Sequence, residues 1–498
     1  MTTETNAQTI TTRYGPVRGA VRADHRYYAG IPYAATPRGV ARFEAPRPPE
    51  AWEQVRDVAS PAPTPPQLDL AAAFTPLDMR AYFGPGWVRG QDYLTVTVWA
   101  PLRAEGAPVM VLVPGGGLAA GSAGAEIYAG QTFARDGVVL VAVNHRLGVA
   151  GFLDVPGAPR NRGLLDVLAA LGWVRDNIEA FGGDPGNVTL FGESAGAIVT
   201  AGVVADERAQ GLLARAIVQS GTATAAFHPD QAALVTAAAA TALGVELTLA
   251  GFASASDDAL VGALPALSAP DLRIGDLLDP LVGLNPLSLV LDEQPAARLA
   301  AGVGAGVDLI VGTNAEEGRL YLAPSGALTA TTRADLDALA AQVHPDPPRL
   351  LDAYAQAHPG ATPGDLRALV LGDALFTTGS RAIVRARGGQ RRAQTWVYEF
   401  RWRSSALDGA LGAAHTVELP FVFDTVDTPS LTGPAGLLGP HGGPQHLAQA
   451  MHSAWVRFAT AGDPGWPAYG GARRPVQVFD QECGVELDPR GALLEVWD

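Results

Sequence analysis

The sequence predicts an α/β fold, with a large, mostly parallel central sheet and helices on both faces. Short runs rich in Val, Ile and Leu recur along the 498 residues, and stretches of helical periodicity separate them. The runs are continuously apolar, as strands buried on both faces must be. They place strands at 109–113, 138–143, 188–191, 216–219, 307–311 and 395–400. Between the second and third lies GLLDVLAALGWVRDNIEAFGGDPGN, whose apolar residues fall at helical spacing until Gly182 and Gly183 end it. A second helix is QHLAQAMHSAWVRFATAG, stopped by Gly462 and followed by Pro464. The alanine-rich stretch 232–250 reads as a further helix and not as a membrane span, because Gly244, Glu246 and several threonines interrupt it.

From 60 to 90, a stretch that begins with PAPTPP and nears its end at GPGW has little regular pattern. Loops of this length in compact domains are usually lids or disordered segments. No internal repeat or low-complexity linker divides the chain. The expectation is one domain over 1–498, with this loop and with helical insertions around 225–300 and 325–390.

Composition narrows the function. Hydrophobic residues make up 48% and charged residues 17%, so the chain can bury a large core. A formal net charge of −15 is repelled by a phosphate backbone and by an anionic bilayer alike, so neither nucleic acid nor membrane is expected as a partner. The single cysteine, Cys483, rules out an intrachain disulfide and a thiolate metal site. The N-terminal MTTETNAQTITTRYGPVRG has neither the basic nor the apolar region of a secretory leader, so a cytoplasmic location is expected, with a monomer as the default.

The chemistry starts at NVTLFGESAGAIVTAGVVA, which reads as strand, then Gly192-Glu193-Ser194-Ala195-Gly196, then helix. So tight a turn leaves no room for side chains at 192 and 196, and it holds Ser194 in a strained conformation with its hydroxyl presented. With 58 glycines in the chain, chance alone yields the G-x-S-x-G spacing about 0.2 times, and the strand-turn-helix context makes the match far more specific.

Ordered motifs then accumulate along nearly the whole chain: YYAGIPYA (27–34), ARF with Pro46 and Trp52, QDYLTVTVWAP (91–101), PGGG (114–117) and VNHRLGVAGFL (143–153). The block NRGLLDVLAALGWVRDNIEAFGGDPGNVTLFGESAGA (161–197) follows, then RAIVQSG, GTNAEEG and LGAAHTVELPFVF. In these motifs the chain resembles the type-B carboxylesterases, which include para-nitrobenzyl esterases, animal carboxylesterases and cholinesterases. The resemblance implies an α/β-hydrolase fold and a triad in the order Ser, acid, His. It also implies hydrolysis of small-molecule esters with no metal and no cofactor.

A serine hydroxyl needs a base, and imidazole titrates in the right range. Nine histidines compete. His415 follows the strand TWVYEF, at the sheet edge that delivers active-site groups in open α/β folds, and the resemblance places the base there. His452 lies within the C-terminal helix pattern, with His441 and His446 near its start, and these read as surface or packing residues. The imidazolium needs an orienting carboxylate, for which GTNAEEG offers Glu316 and Glu317. Spacing does not choose between them; the resemblance selects Glu317 and leaves Glu316 as a solvated or capping neighbour. By the same resemblance the oxyanion donors are the N–H groups of Gly116, Gly117 and Ala195, while Glu193 and Ser220 help fix the surroundings of His415.

The chain departs from its relatives at Pro114 and Leu118, where many bacterial members carry His and Phe, and at Tyr93, where secreted members carry a disulfide cysteine. Leu118 removes an aromatic wall, so a different acyl pocket is expected. No residue aligns with the choline-binding tryptophan, and cholinesterase activity gains no support. The expected activity is serine carboxylesterase hydrolysis of small to medium esters through an acyl-enzyme. Two rivals stand beside it: a non-catalytic binding protein on the same fold, and thioester or amide hydrolysis by the same triad.

Overall fold

The computed structural model describes residues 7–268, 270–388, 392–470 and 473–498. Thirteen strands form one sheet. They are β1 (Ala7–Thr12), β2 (Gly15–Val21), β3 (His25–Pro32), β4 (Arg56–Asp57), β5 (Thr95–Pro101), β6 (Ala107–Val113), β7 (Val139–Val143), β8 (Gly183–Glu193), β9 (Arg215–Gln219), β10 (Asp308–Asn314), β11 (Thr395–Phe400), β12 (Pro475–Phe479) and β13 (Gly484–Leu487). The spatial order is β1-β2-β3-β5-β7-β6-β8-β9-β10-β11-β12-β13, with β4 beside β2. From β7 to β12 every neighbour is parallel, while both margins are antiparallel apart from the short β4, which pairs parallel with β2. The six apolar runs are β6 to β11, and the margins are what the runs did not announce.

Successive side chains of a strand point to opposite faces, and here each face has its own core. Val109, Val111 and Val113 enter one cluster, together with Val139, Val141, Val143 and Leu190. Met110 and Leu112 enter the other, with Leu140, Ala142 and Phe191. The helix Arg162–Asn177 covers the first face and ends through a 3₁₀ turn at Gly182, whose φ of 87° permits the left-handed exit. The helix Gln445–Ala461 covers the second face and ends at Gly462 with φ 73°.

Beneath the VNHRLGVAGFL motif, Arg146 and Asp166 form a fully buried ion pair with Nη2–Oδ1 at 2.6 Å and Nε–Oδ2 at 2.8 Å. The remaining guanidinium nitrogen donates to the carbonyls of Arg42 and Glu44.

Within 225–300 lie the helices Pro229–Leu243, Leu249–Ser254, Asp257–Gly262 and Pro295–Ala300. The alanine-rich helix stops at Gly244, short of the expected 250, because Gly244 adopts φ 64°. Within 325–390 the helices include Arg333–Val343, Pro347–Ala357, Pro363–Gly372 and Thr378–Arg387, the last two joined by the π-turn Asp373–Thr377. The segment 60–90 holds two short helical turns, Ala71–Phe74 and Arg80–Phe83, and it buries Leu77, Met79, Tyr82 and Phe83. It is anchored into the second core rather than free at the surface. Among the described residues no helix is long and apolar enough to cross a membrane.

Candidate active site

Because β8, β9 and β10 run parallel in register, with Glu193 opposite Gln219 and Gln219 opposite Gly312, their C-terminal ends open on one edge of the sheet. Everything expected to carry chemistry gathers there.

Ser194 occupies the turn between β8 and the helix Ala195–Val204 with φ 57° and ψ −127°, a backbone few residues other than glycine adopt. The flanking glycines are required. A Cβ on Gly196 would come within 2.1 Å of the Val113 carbonyl oxygen, and one on Gly192 within 2.6 Å of Gly196. The side chain of Ser194 makes no cap hydrogen bond, and its amide donates to the Gln219 carbonyl at 3.0 Å.

Glu317 follows β10 and is 2% exposed. Its Oε1 accepts from Ser220 Oγ at 2.6 Å and from the Asn314 amide at 2.7 Å, while Oε2 lies 2.6 Å from His415 Nδ1. The acid is thus held by three donors, one of them the candidate base. Ser220 is fixed in turn by a left-handed backbone, φ 46°, and by its N–H, which donates to the Gly312 carbonyl oxygen at 2.8 Å. Glu316 faces elsewhere. Its side chain is 15% exposed, pairs with Arg319 and Arg403, and accepts from the Ala413 amide at 2.9 Å. It is therefore a half-buried tie for the loop that carries His415, where a solvated or capping neighbour was expected.

His415 is 2% exposed and lies flat under Phe376 of the π-turn, with ring centroids 4.3 Å apart and planes 14° from parallel. Its second nitrogen, Nε2, is 3.2 Å from Glu193 Oε1. The structure brings His415, Glu317 and the Glu193–Ser194 turn together. It records no hydrogen bond between Ser194 Oγ and His415, whose Nε2 and the facing Glu193 Oε1 are both without a hydrogen-bond partner among the described residues. Such contacts commonly tighten only once substrate is bound.

Two side chains not foreseen from sequence complete the cluster. Glu418, fully buried three residues past His415, accepts from Asn314 Nδ2 at 2.7 Å. Tyr82, from the 60–90 segment, donates to Glu193 Oε2 at 2.8 Å. A carboxylate inside the apolar run TVELPFVF was the available signal for Glu418; nothing local marked Tyr82. Burial raises Glu193 to about 8, with Glu418 and Glu317 adding to the effect and His415 opposing it. Burial and the neighbouring Glu317 raise Glu418 to about 7. For His415 burial favours the neutral ring, but the anions Glu193 and Glu317 outweigh it and raise the imidazole to about 9.

The glycine loop after β6 is built as a cradle of donors. Gly115 N–H donates to Tyr128 Oη at 3.1 Å, and Gly116 O accepts from the amides of Ala119 and Ala120 at 3.2 and 3.0 Å. The N–H groups of Gly116 and Gly117 donate to no protein group among the described residues. Ala195 begins its helix, where N–H groups have no intrahelical acceptor. A Cβ on Gly116 would sit 2.3 Å from the Ala120 carbonyl oxygen. Of the three helix-associated histidines expected at the surface or in packing, His452 is buried against the Val422 carbonyl, Nδ1–O 2.8 Å, while His441 and His446 are exposed, the latter 3.0 Å from the Gln481 carbonyl. Among the described residues no group of three or more His, Cys, Asp or Glu side chains is arranged to hold a metal ion.

The pattern of the carboxylesterase family matches residues 6–482. Para-nitrobenzyl esterase of Bacillus subtilis (strain 168) is 34% identical over 497 residues, covering 97% of this chain and 96% of that one. Phenmedipham hydrolase of Pseudarthrobacter oxydans is 31% identical over 493 residues, covering 96% and 95%. Among solved structures, a thermophilic PNB esterase superposes with a TM-score of 0.82 at 31% identity, covering 99% of this chain and all of the other.

Proposed function

Because the chain belongs to the carboxylesterase family and hydrolyses carboxylic esters, we propose that it does so with Ser194 as nucleophile, His415 as general base and Glu317 as the carboxylate that orients it. The observation that carries this reading is the 2.6 Å contact of Glu317 with His415 Nδ1, beside a turn that holds a serine at φ 57°. Glu317 fixes the ring so that Nδ1 keeps its proton and Nε2 is left to accept one. Ser194 Oγ attacks the ester carbonyl while its proton passes to Nε2. The N–H groups of Gly116, Gly117 and Ala195 receive the charge that develops on the carbonyl oxygen. His415 returns the proton to the departing alcohol, and water activated by the same imidazole then releases the acid from Ser194. Ser220 acts through Glu317, and Glu193 through the charge it sets beside Nε2.

The substrates are small to medium esters, para-nitrobenzyl esters among them by analogy with the Bacillus relative. The chain is further read as one domain, supported by a single sheet that runs from residue 7 to residue 487, and as a cytoplasmic monomer without cofactor. Ser194→Ala tests the core of the proposal. Hydrolysis of para-nitrophenyl acetate and labelling by a fluorophosphonate should both vanish, and wild-type turnover in that variant would remove Ser194 from the mechanism.

A further inference from the structure

The loop that carries the two glycine donors is held in a backbone state its sequence does not favour, and one side chain from a distant segment holds it there. Ala119 N–H donates to Gly116 O at 3.2 Å, closing a four-residue turn whose central residues, Gly117 and Leu118, have φ 63° and 57°. Positive φ at both central positions defines a type I′ turn. Glycine followed by an ordinary residue suits type II′ instead, in which only the first central φ is positive. Rotating the single peptide between Gly117 and Leu118 converts one turn into the other and releases Leu118 from its left-handed backbone.

Asn285 opposes that rotation. Its Nδ2 donates to the Gly117 carbonyl, the oxygen of the rotating peptide, at 2.8 Å. The amide cannot serve equally well the other way round, because Asn285 Oδ1 is engaged as acceptor for the Leu287 N–H at 3.1 Å. The far side of the turn is pinned separately, by the Gly148 amide on the Leu118 carbonyl at 2.7 Å. The rotation leaves the Gly117 N–H in place and swings the Gly117 carbonyl oxygen to the same side as that candidate oxyanion donor.

We propose that Asn285 is a positioning residue for the oxyanion hole, which by holding the Gly117 carbonyl keeps the Gly116–Ala119 turn in its type I′ form and keeps that carbonyl oxygen from turning to the side of the Gly117 N–H, where it would oppose the developing charge. The inference rests on the reading of Gly116, Gly117 and Ala195 as the oxyanion donors. It extends the site to the segment around 285, which supplies no group to the triad.

The experiment compares Asn285→Leu, which fills the space without donating, and Asn285→Asp, which keeps the acceptor for Leu287 N–H and loses the donor. Each is measured with para-nitrophenyl acetate, and rates are taken per active site titrated with fluorophosphonate. In both variants kcat should fall by about tenfold or more, short of the full loss of a donor. KM should stay within about twofold of wild type. The inhibition constant of a trifluoromethyl ketone, whose adduct with serine is an alkoxide, should rise by the same factor as kcat falls. Wild-type kcat and ketone affinity in both variants would overturn the inference, as would a rise in KM alone, which would make Asn285 a wall of the substrate pocket. Ser194→Ala, run in parallel, separates the two levels. If it stays active, the proposed mechanism fails; if it is dead while the Asn285 variants are normal, only the positioning role does.

Discussion

Two of the buried charge clusters in this protein are built on opposite rules. At Arg146–Asp166 one cation meets one anion, two hydrogen bonds join the side chains, and the guanidinium nitrogen that Asp166 does not engage lies on two carbonyls. At the candidate site three carboxylates, Glu193, Glu317 and Glu418, surround one imidazole, and among the described residues Glu193 Oε1, His415 Nε2 and Asn314 Oδ1 have no hydrogen-bond partner. The first pair is matched in charge and fully bonded, and the buried Arg162 beside it donates to backbone carbonyls, so this cluster has only a folded state to support. The second carries an excess of negative charge that draws protons in, and it leaves open the atoms where a proton must come and go. Groups poised in this way mark chemistry, whereas matched pairs mark architecture.

The contrast can be broken most sharply at Glu317. Glu317→Gln removes the anion and offers His415 Nδ1 an amide, so kcat should fall by roughly 10⁴-fold while thermal melting changes little. At the other cluster the opposite holds. Asp166→Ala leaves an uncompensated buried guanidinium and should lower the unfolding free energy by about 3–5 kcal/mol in denaturant titration, with kcat per titrated active site unchanged.

Glu193→Gln sharpens the comparison through pH. As the proposed general base His415 must be neutral to accept a proton, and the anions beside it raise it to about 9 against the pull of burial, so kcat/KM should climb as pH rises through that titration. Removing the Glu193 charge takes away the largest of the raising influences, so the midpoint of the climb should move to lower pH. A profile from about pH 5 to about pH 10 reads the shift; a move to higher pH would contradict the assignment. Tyr82→Phe should act in the same direction and more weakly. Without that hydroxyl Glu193 holds its proton to higher pH, and the lost bond is worth on the order of 1 kcal/mol.

The central strands were legible because both of their faces are buried, which makes them continuous apolar runs. The margins were not. All four residues of β13 and four of the six in β1 are exposed, so neither strand carries an apolar signature. β5, with Thr and Val alternating, is fully buried yet does not read as a run. Ser194, Glu317, His415 and the glycine loop sit in local motifs, and the fold brings them to one sheet edge. Tyr82, Glu418 and Asn285 act across 111, 104 and 168 residues of chain on Glu193, Asn314 and Gly117. Contacts of that kind are set by tertiary packing, and no local pattern encodes them.

The ring of Phe376 lying face to face on His415 has a magnetic consequence. Protons held over an aromatic face are shielded by its ring current, so the carbon-bound imidazole protons of His415 should resonate upfield of those of the exposed His441. That displaced pair of signals would be a resident reporter, by which the charge on one imidazole could be followed in solution with no label attached.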